Sequence, residues 1–405
     1  MPAIVEYPTL VKEALKHYGS LFINEPERRH FAEYLTGLLV AERKNVSGIN
    51  REFAVTTDQS CLNRWLGTVR SWDEQQLNER RLELLQQDVN TRYSAHGVIP
   101  IDNVLIDHDG KLIEDVGWFW DHADKRYLVA HDYLIANYVC PSLKHYPLEF
   151  RRFVPRDRLS NSDEFYSHTD LCIELIDWVI QHQIPGDFAI DSYFTNAEIL
   201  NHIHRRQRFY VGDLKFNRNV QFKGQTLKVS DMAKLIPAAD RKMVECNGKR
   251  QFYFTKTIRI DRFNHRVRVV ILWKHQGDDE PAKILITNRV GWEIIRILTV
   301  YRKRWTGTET FHRDGKQQLG MGDCQLRSRL GQTRHLYLVF VMYSSIVAQL
   351  GQARVQDWAR IRLMTVGEAC RAALRETLGN TLEWAIQRAT EGWSTERIKL
   401  SLALP

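Results

Sequence analysis

At residue 97 the hydrophobic pattern of the chain changes period, and that change limits the folds open to it. Before it, VKEALKHY, ERRHFAEYLTGLLVAERK and LNERRLELLQQDV space apolar residues three and four apart, as amphipathic helices do. After it, GVIPIDNVLI (97–106), VGWFW, KRYLVAHDYLIANYVC and YPLEFRRFV are rich in β-branched and aromatic residues, the composition of a meander of strands. DLCIELIDWVIQHQ (170–183) returns to helical spacing, and IPGDFAIDS (184–192) reads as a short buried strand ending in Asp191. TNAEILNHIHRR starts another helix, with Thr195 and Glu198 read as its capping box, and RFYVGDLKF is the next strand. Residues 214–290 read as further strands (QFYFTKTIRI, HRVRVVILW, AKILITN) without a helix, and helices resume at about 291. A helical front, three strands, helix, strand, helix, strand, a β-rich interruption and then helices fits an α+β fold better than regular alternation.

A chain of 405 residues that is 43% hydrophobic buries a sizeable core, and its length suggests two or three domains. The pattern divides it at 1–95, 96–213, 214–290, 291–350 and 351–405. A formal net charge of +8 makes a polyanion the natural partner class. Six widely spaced cysteines without a CxxC pair argue against a zinc site or a disulfide framework and for a reducing, cytoplasmic setting, with association to the nucleoid when bound. MPAIVEYPTLVKEALK lacks the pattern of a signal peptide, and LYLVFVMYSSIVAQL (336–350) is too short to span a bilayer, so it is expected as a buried helix.

Three acids stand at chemically suggestive places: Asp102 in the first strand, Asp191 at the end of the fourth, and Glu309 on the first strongly amphipathic helix after the interruption. Three carboxylates brought together from distant segments repel one another unless cations hold them. Two magnesium ions, roughly 3.5–4 Å apart, would activate an attacking oxygen and stabilise a leaving oxygen in phosphoryl transfer, with manganese as a substitute. Residues 301–340 hold eight Lys and Arg against three acids, a setting suited to metal held against a phosphate backbone.

Tyr301, Arg304, Glu309 and Lys316 resemble the YREK signature, Y-x2-R-x3-E-x6-K, of the insertion-sequence-four superfamily of DDE transposases. Two spacings match, and between Arg304 and Glu309 stands one residue more than the signature has. AIDSYFTNAEIL is similar to the family's second-Asp segment, and KILITNRV to the strand closing its β insertion. The resemblance spans roughly residues 95–350. It implies an RNase H-like core (96–213 and 291–350) split by the β insertion (214–290), a helical DNA-binding front (1–95) and a C-terminal helical segment (351–405). It further implies two divalent metals on Asp102, Asp191 and Glu309, and cut-and-paste transposition of double-stranded DNA, with terminal inverted repeats and target DNA as partners and a homodimer on DNA. Arg304 and Lys316 would contact phosphates near the transposon end, and Tyr301 would help hold the terminal nucleotide. The first acid stays open between two positions. The family's first strand often carries two adjacent acids followed by Thr or Ser, whereas this chain reads IDNV, so the ligand is Asp102, or position 103 holds an amide where a carboxylate belongs. Asp107 and Asp109 are fallback candidates, though a D-x-D-G run is more often a turn.

Each residue also has a plainer reading. Glu309 fits an intrahelical salt bridge to Arg313, and Asp191 fits a strand-end turn that binds backbone amides. Trp118, Phe119 and Trp120 fit core or hairpin pairs; Trp305 fits a buried helix anchor somewhat better than a base-stacking platform. Arg313 joins Trp305 among the DNA-contact candidates. His202 and His204 are read as surface residues. The front helices are read as basic, either a solvated face or the part that grips DNA ends. Rival functions are an RNase H-like nuclease that cuts without joining, and a silenced transposase kept as a DNA-binding protein.

Overall fold

The computed structural model describes residues 4–69, 72–110, 112–122, 124–160, 164–353 and 355–402. The front forms five helices: α1 (Thr9–Tyr18), α2 (Glu25–Val40), α3 (Val46–Arg51), α4 (Gln59–Gly67) and α5 (Glu74–Gln86). Four strands follow, β1 (Val98–Asp107), β2 (Gly117–Asp121), β3 (Arg126–Val139) and β4 (His145–Phe153): each of the four strand-like stretches forms one, so the count exceeds the three expected, and VGWFW pairs with the start of β3. Within that hairpin Trp120 meets Tyr127 edge-on at 5.1 Å, the cross-strand pairing expected of these aromatics.

Helix α6 (His168–Gln181) opens on a capping box of Ser167 and Asp170, and strand β5 (Asp187–Ile190) ends one residue before Asp191. Helix α7 (Ala197–Arg205) departs from its expected cap. Asn196, not Thr195, accepts the Ile199 amide. Thr195 instead turns its hydroxyl onto the Asp191 carbonyl at 2.5 Å, so it closes the turn after the strand rather than starting the helix. Strand β6 (Tyr210–Asp213) runs parallel to β5, which runs parallel to β1.

The interruption continues the same sheet. Strands β7 (Asn219–Phe222) and β8 (Gln225–Lys228) form a separate hairpin, followed by a one-turn helix that the sequence pattern did not disclose, α8 (Val229–Lys234). Strands β9 (Lys242–Cys246), β10 (Lys249–Ile258), β11 (Val267–Trp273) and β12 (Lys283–Thr287) then form an antiparallel set whose last member pairs with β6. The resulting ten-stranded sheet runs β2-β3-β1-β5-β6-β12-β11-β10-β9, with β4 also on β3. The molecule is a mixed α+β fold of the RNase H-like type, with its sheet sandwiched between helices.

Side chains alternate along β1, so its residues feed two cores. Val104 and Ile106 join the cluster under α9 (Ile294–Leu319) and α10 (Arg329–Gln349), whereas Ile99 and Ile101 join the one under α6 and α7. Helix α10 is apolar on nearly every side because it is wrapped on nearly every side. The front helices close over it: the buried Arg334 guanidinium donates to the Thr68 carbonyl at 2.8 Å and pairs with Glu74 at 3.2 Å, and Tyr34 meets His335 at 2.8 Å. Two further helices, α11 (Val366–Thr390) and α12 (Thr395–Ser401), end the chain.

Helix α9 crosses the sheet closely because of one glycine. A Cβ on Gly307 would lie 2.5 Å from Val139 Cγ2 and 2.7 Å from Pro100 Cγ, both in the packed sheet. Gly307→Ala is therefore expected to lower stability by about 1–3 kcal/mol through overpacking, read as a lower urea midpoint. An unchanged midpoint would mean that α9 does not sit this close.

Candidate active site

The parallel register aligns three acids in one row. Ile101 on β1 is level with Ile190 on β5, and Ile190 with Gly212 on β6. The next residues are Asp102, Asp191 and Asp213, side by side where β5 and β6 end and where β1, which runs on to Asp107 beside β3, loses its pairing with β5. Strand ends are where backbone hydrogen bonding gives out and side chains converge without a ladder between them, so the sheet presents these carboxylates together.

Asp102 is buried and faces α9, where Arg304 Nη1 donates to its Oδ2 at 2.7 Å. Burial, with the charges of Asp191 and Glu309, pushes its carboxyl up to about 7 even though Arg304 pulls it down. Asn103 points to the opposite side of the sheet, where its amide donates to the buried Asp132 at 3.1 Å, and Asp132 in turn holds His168 at 2.7 Å. Asp107 is exposed and pairs with Arg126 at 3.3 Å, away from the row, and Asp109 is exposed.

Asp191 takes up its plainer role and keeps capacity to spare. Its Oδ1 accepts from the amides of Tyr193 and Phe194, both at 3.0 Å, which fixes the carboxylate's direction. Burial raises its pKa above the ordinary aspartate value.

Helix α9 carries the remaining candidates on one continuous element. Tyr301 donates to Asp213 at 3.0 Å, and Lys283, at the head of β12, bonds both Asp213 (2.9 Å) and the Tyr301 hydroxyl (3.2 Å). Five residues advance a helix by about 500°, so Glu309 lies roughly 140° around the axis from Arg304. Arg304 consequently reaches down onto Asp102 while Glu309 sits half-buried on the helix flank. The salt bridge to Arg313 does not form: Arg313 is exposed and turns to Asp314 at 3.1 Å, and among the described residues Glu309 has no ion-pair partner. Lys316 is exposed. Trp305, expected as a buried anchor, is 62% exposed, because its position on the helix falls outside the face packed on the sheet. His202 is partly buried against Asp177 at 2.9 Å, and His204 is exposed, stacked on His265.

Sequence reasoning passed over Asp213 and Lys283. The signal for Asp213 was available: YVGD ends in an acid just as the neighbouring buried strand FAID does.

The donor chemistry of the row, hard carboxylate oxygens with one pushed up to about 7 by burial and then by its like-charged neighbours, fits a hard divalent cation. Among the described residues no group of three or more His, Cys, Asp or Glu side chains is arranged to hold an ion as it stands, and on Asp102 the balancing charge is the Arg304 guanidinium. No helix of the described residues is long and apolar enough to cross a membrane.

Residues 167–344 match the family model of the transposase DDE domain. The match supports a DDE transposase, with DNA as its substrate class. It runs from the cap of α6 to the last turns of α10, takes in Asp191, Asp213 and the whole of α9, and begins downstream of Asp102. Among curated proteins none matches the chain.

Proposed function

We propose that the protein cuts and joins the ends of a mobile DNA element by two-metal phosphoryl transfer, with Asp102, Asp191 and Glu309 as the metal-holding acids and magnesium as the cation. The observation that carries this reading is the level placement of Asp102 and Asp191 at neighbouring parallel strands, with Asp102 facing the helix that carries Glu309. Bound divalent ions would supply Lewis acidity to the attacking and leaving oxygens.

The chain's own residues divide the remaining work. Asp191 is pre-aimed by two backbone amides, so one carboxylate oxygen stays available without reorganisation. Lys316 grips a phosphate flanking the cleaved bond, with the exposed Arg313 further along the strand, and Arg304 would turn from Asp102 to a second phosphate once cations balance that carboxylate. Tyr301, held by Asp213 and Lys283, presents its ring beside the terminal nucleotide, and the exposed Trp305 offers a face for base stacking. Two copies on paired terminal inverted repeats would bring both ends to a double-stranded target.

The test is cleavage and strand transfer on duplex carrying the element's own ends. Activity is expected with magnesium or manganese and should disappear in excess EDTA. Robust cleavage in EDTA would rule out the two-metal reading, and cleavage without any joined product would leave a nuclease.

A further inference from the structure

Positive charge is distributed unevenly along this chain, and not as the helical front's expected DNA-binding role requires. Residues 1–95 hold twelve Lys and Arg against thirteen Asp and Glu, a net −1, which corrects the reading of these helices as basic. Several of the front's cations are also engaged within it: Lys12 with Glu6, Arg28 with Glu25, Arg29 with Glu33 and Arg80 with Glu83. Residues 96–213, which contain the row of aspartates, hold eleven against nineteen, a net −8 that repels a phosphate backbone. Residues 214–290 hold seventeen against seven, a net +10, more than the +8 of the entire chain.

Geometry turns this excess into a surface. The β7–β8 hairpin is bridged to the end of β10 through Val220 and Ile260, with the Gln221 amide on the Arg259 carbonyl at 3.4 Å. This brings Lys223, Lys256 and Arg259 together, all exposed and none ion-paired among the described residues. The ammonium groups of Lys223 and Lys256 lie 5.5 and 4.9 Å from the centre of the same Phe222 ring. Cations crowded without a carboxylate repel one another, a cost in folding that a polyanion removes. The surface is also registered to the acids, since β12 pairs directly with β6, and Leu285 faces Asp213 across that pairing.

We infer that the strands inserted between β6 and α9, rather than the front helices, form the main phosphate-gripping surface for duplex DNA. This rests on the transposase reading for the identity of the ligand. A duplex spanning the negatively charged strand ends is held from one side by this surface and from the other by the basic helix α9.

The experiment compares two triple variants of the full chain. Lys223→Gln/Lys256→Gln/Arg259→Gln removes three exposed charges from the insertion, and Lys16→Gln/Arg43→Gln/Arg51→Gln removes three exposed charges from the front. Binding of a short duplex of arbitrary sequence is followed by fluorescence anisotropy over a potassium chloride series, with circular dichroism showing both variants folded. The insertion variant is expected to flatten the slope of log K against log salt by about two to three units, and the front variant by less than about one. Wild-type binding with an equal or larger drop in the front variant, or an undiminished slope in the insertion variant, overturns this inference alone. A wild-type protein with no salt-dependent affinity for duplex overturns it together with the DNA reading. Lys223→Gln alone should account for about one unit, and no change there would likewise count against it.

Discussion

Glu309→Gln is expected to reduce strand cleavage by more than about a thousandfold while leaving DNA binding intact or stronger. The side chain keeps its shape but loses the charge that would share a divalent cation, and a loss of about 4 kcal/mol in transition-state stabilisation corresponds to that factor. Binding should not fall, because the substitution removes a negative charge from a surface that faces phosphates. The structure removes the main competing explanation for the residue, since Arg313 pairs with Asp314 and Glu309 stands free of it. A folded Glu309→Gln protein that cleaves at a near-normal rate would leave Glu309 outside the chemistry.

The second large effect separates Asp102 from Asn103. Asp102→Asn is expected to abolish cleavage, by a factor again on the order of a thousand. Asn103→Asp is expected to gain nothing and to cost stability. Its new carboxylate would replace an amide that now donates to Asp132 at 3.1 Å, and Asp132 is 2% exposed. Two facing carboxylates in a buried setting cost several kcal/mol unless one takes up a proton, so the urea midpoint should fall. The opposite result, with Asn103→Asp raising activity from nothing to turnover, would place the ligand at 103 and make this chain a disabled form.

The sequence disclosed whatever depends on neighbours along the chain. The buried FAID strand, helix α6 and the long helix bearing Tyr301, Arg304 and Glu309 all follow from local period and composition. Which side of β1 faces α9 did not, because the sequence favours Asp102 over Asn103 only slightly until β3, β5 and α9 are in place around them. The same limit hid Lys283, whose bonds to Asp213 and Tyr301 join residues 70 and 18 positions apart, while Asp213 itself was legible at the end of YVGD. Thr195 and Asn196 compete for one cap, and the turn after β5 decided between them by engaging the threonine. Trp305 was misjudged as buried because a tryptophan's size argues for the core, while its angle around α9 is set by where Gly307 lets the helix touch the sheet.

The pairing of β6 with β12 has a consequence for how such a chain can change over evolutionary time. The polypeptide leaves the parallel strands on β6 and comes back beside it on β12, so the excursion between them begins and ends about 4.8 Å apart. A detour with so narrow a neck can lengthen or shrink at its β7–β8 hairpin, whereas Val244, Val270 and Leu272 on β9 and β11 pack against the start of α9 and are not free to change in the same way. Selection can thus rework the hairpin while leaving the acids in place, but a change at Lys283 or in the strands under α9 reaches Asp213 and Tyr301 directly.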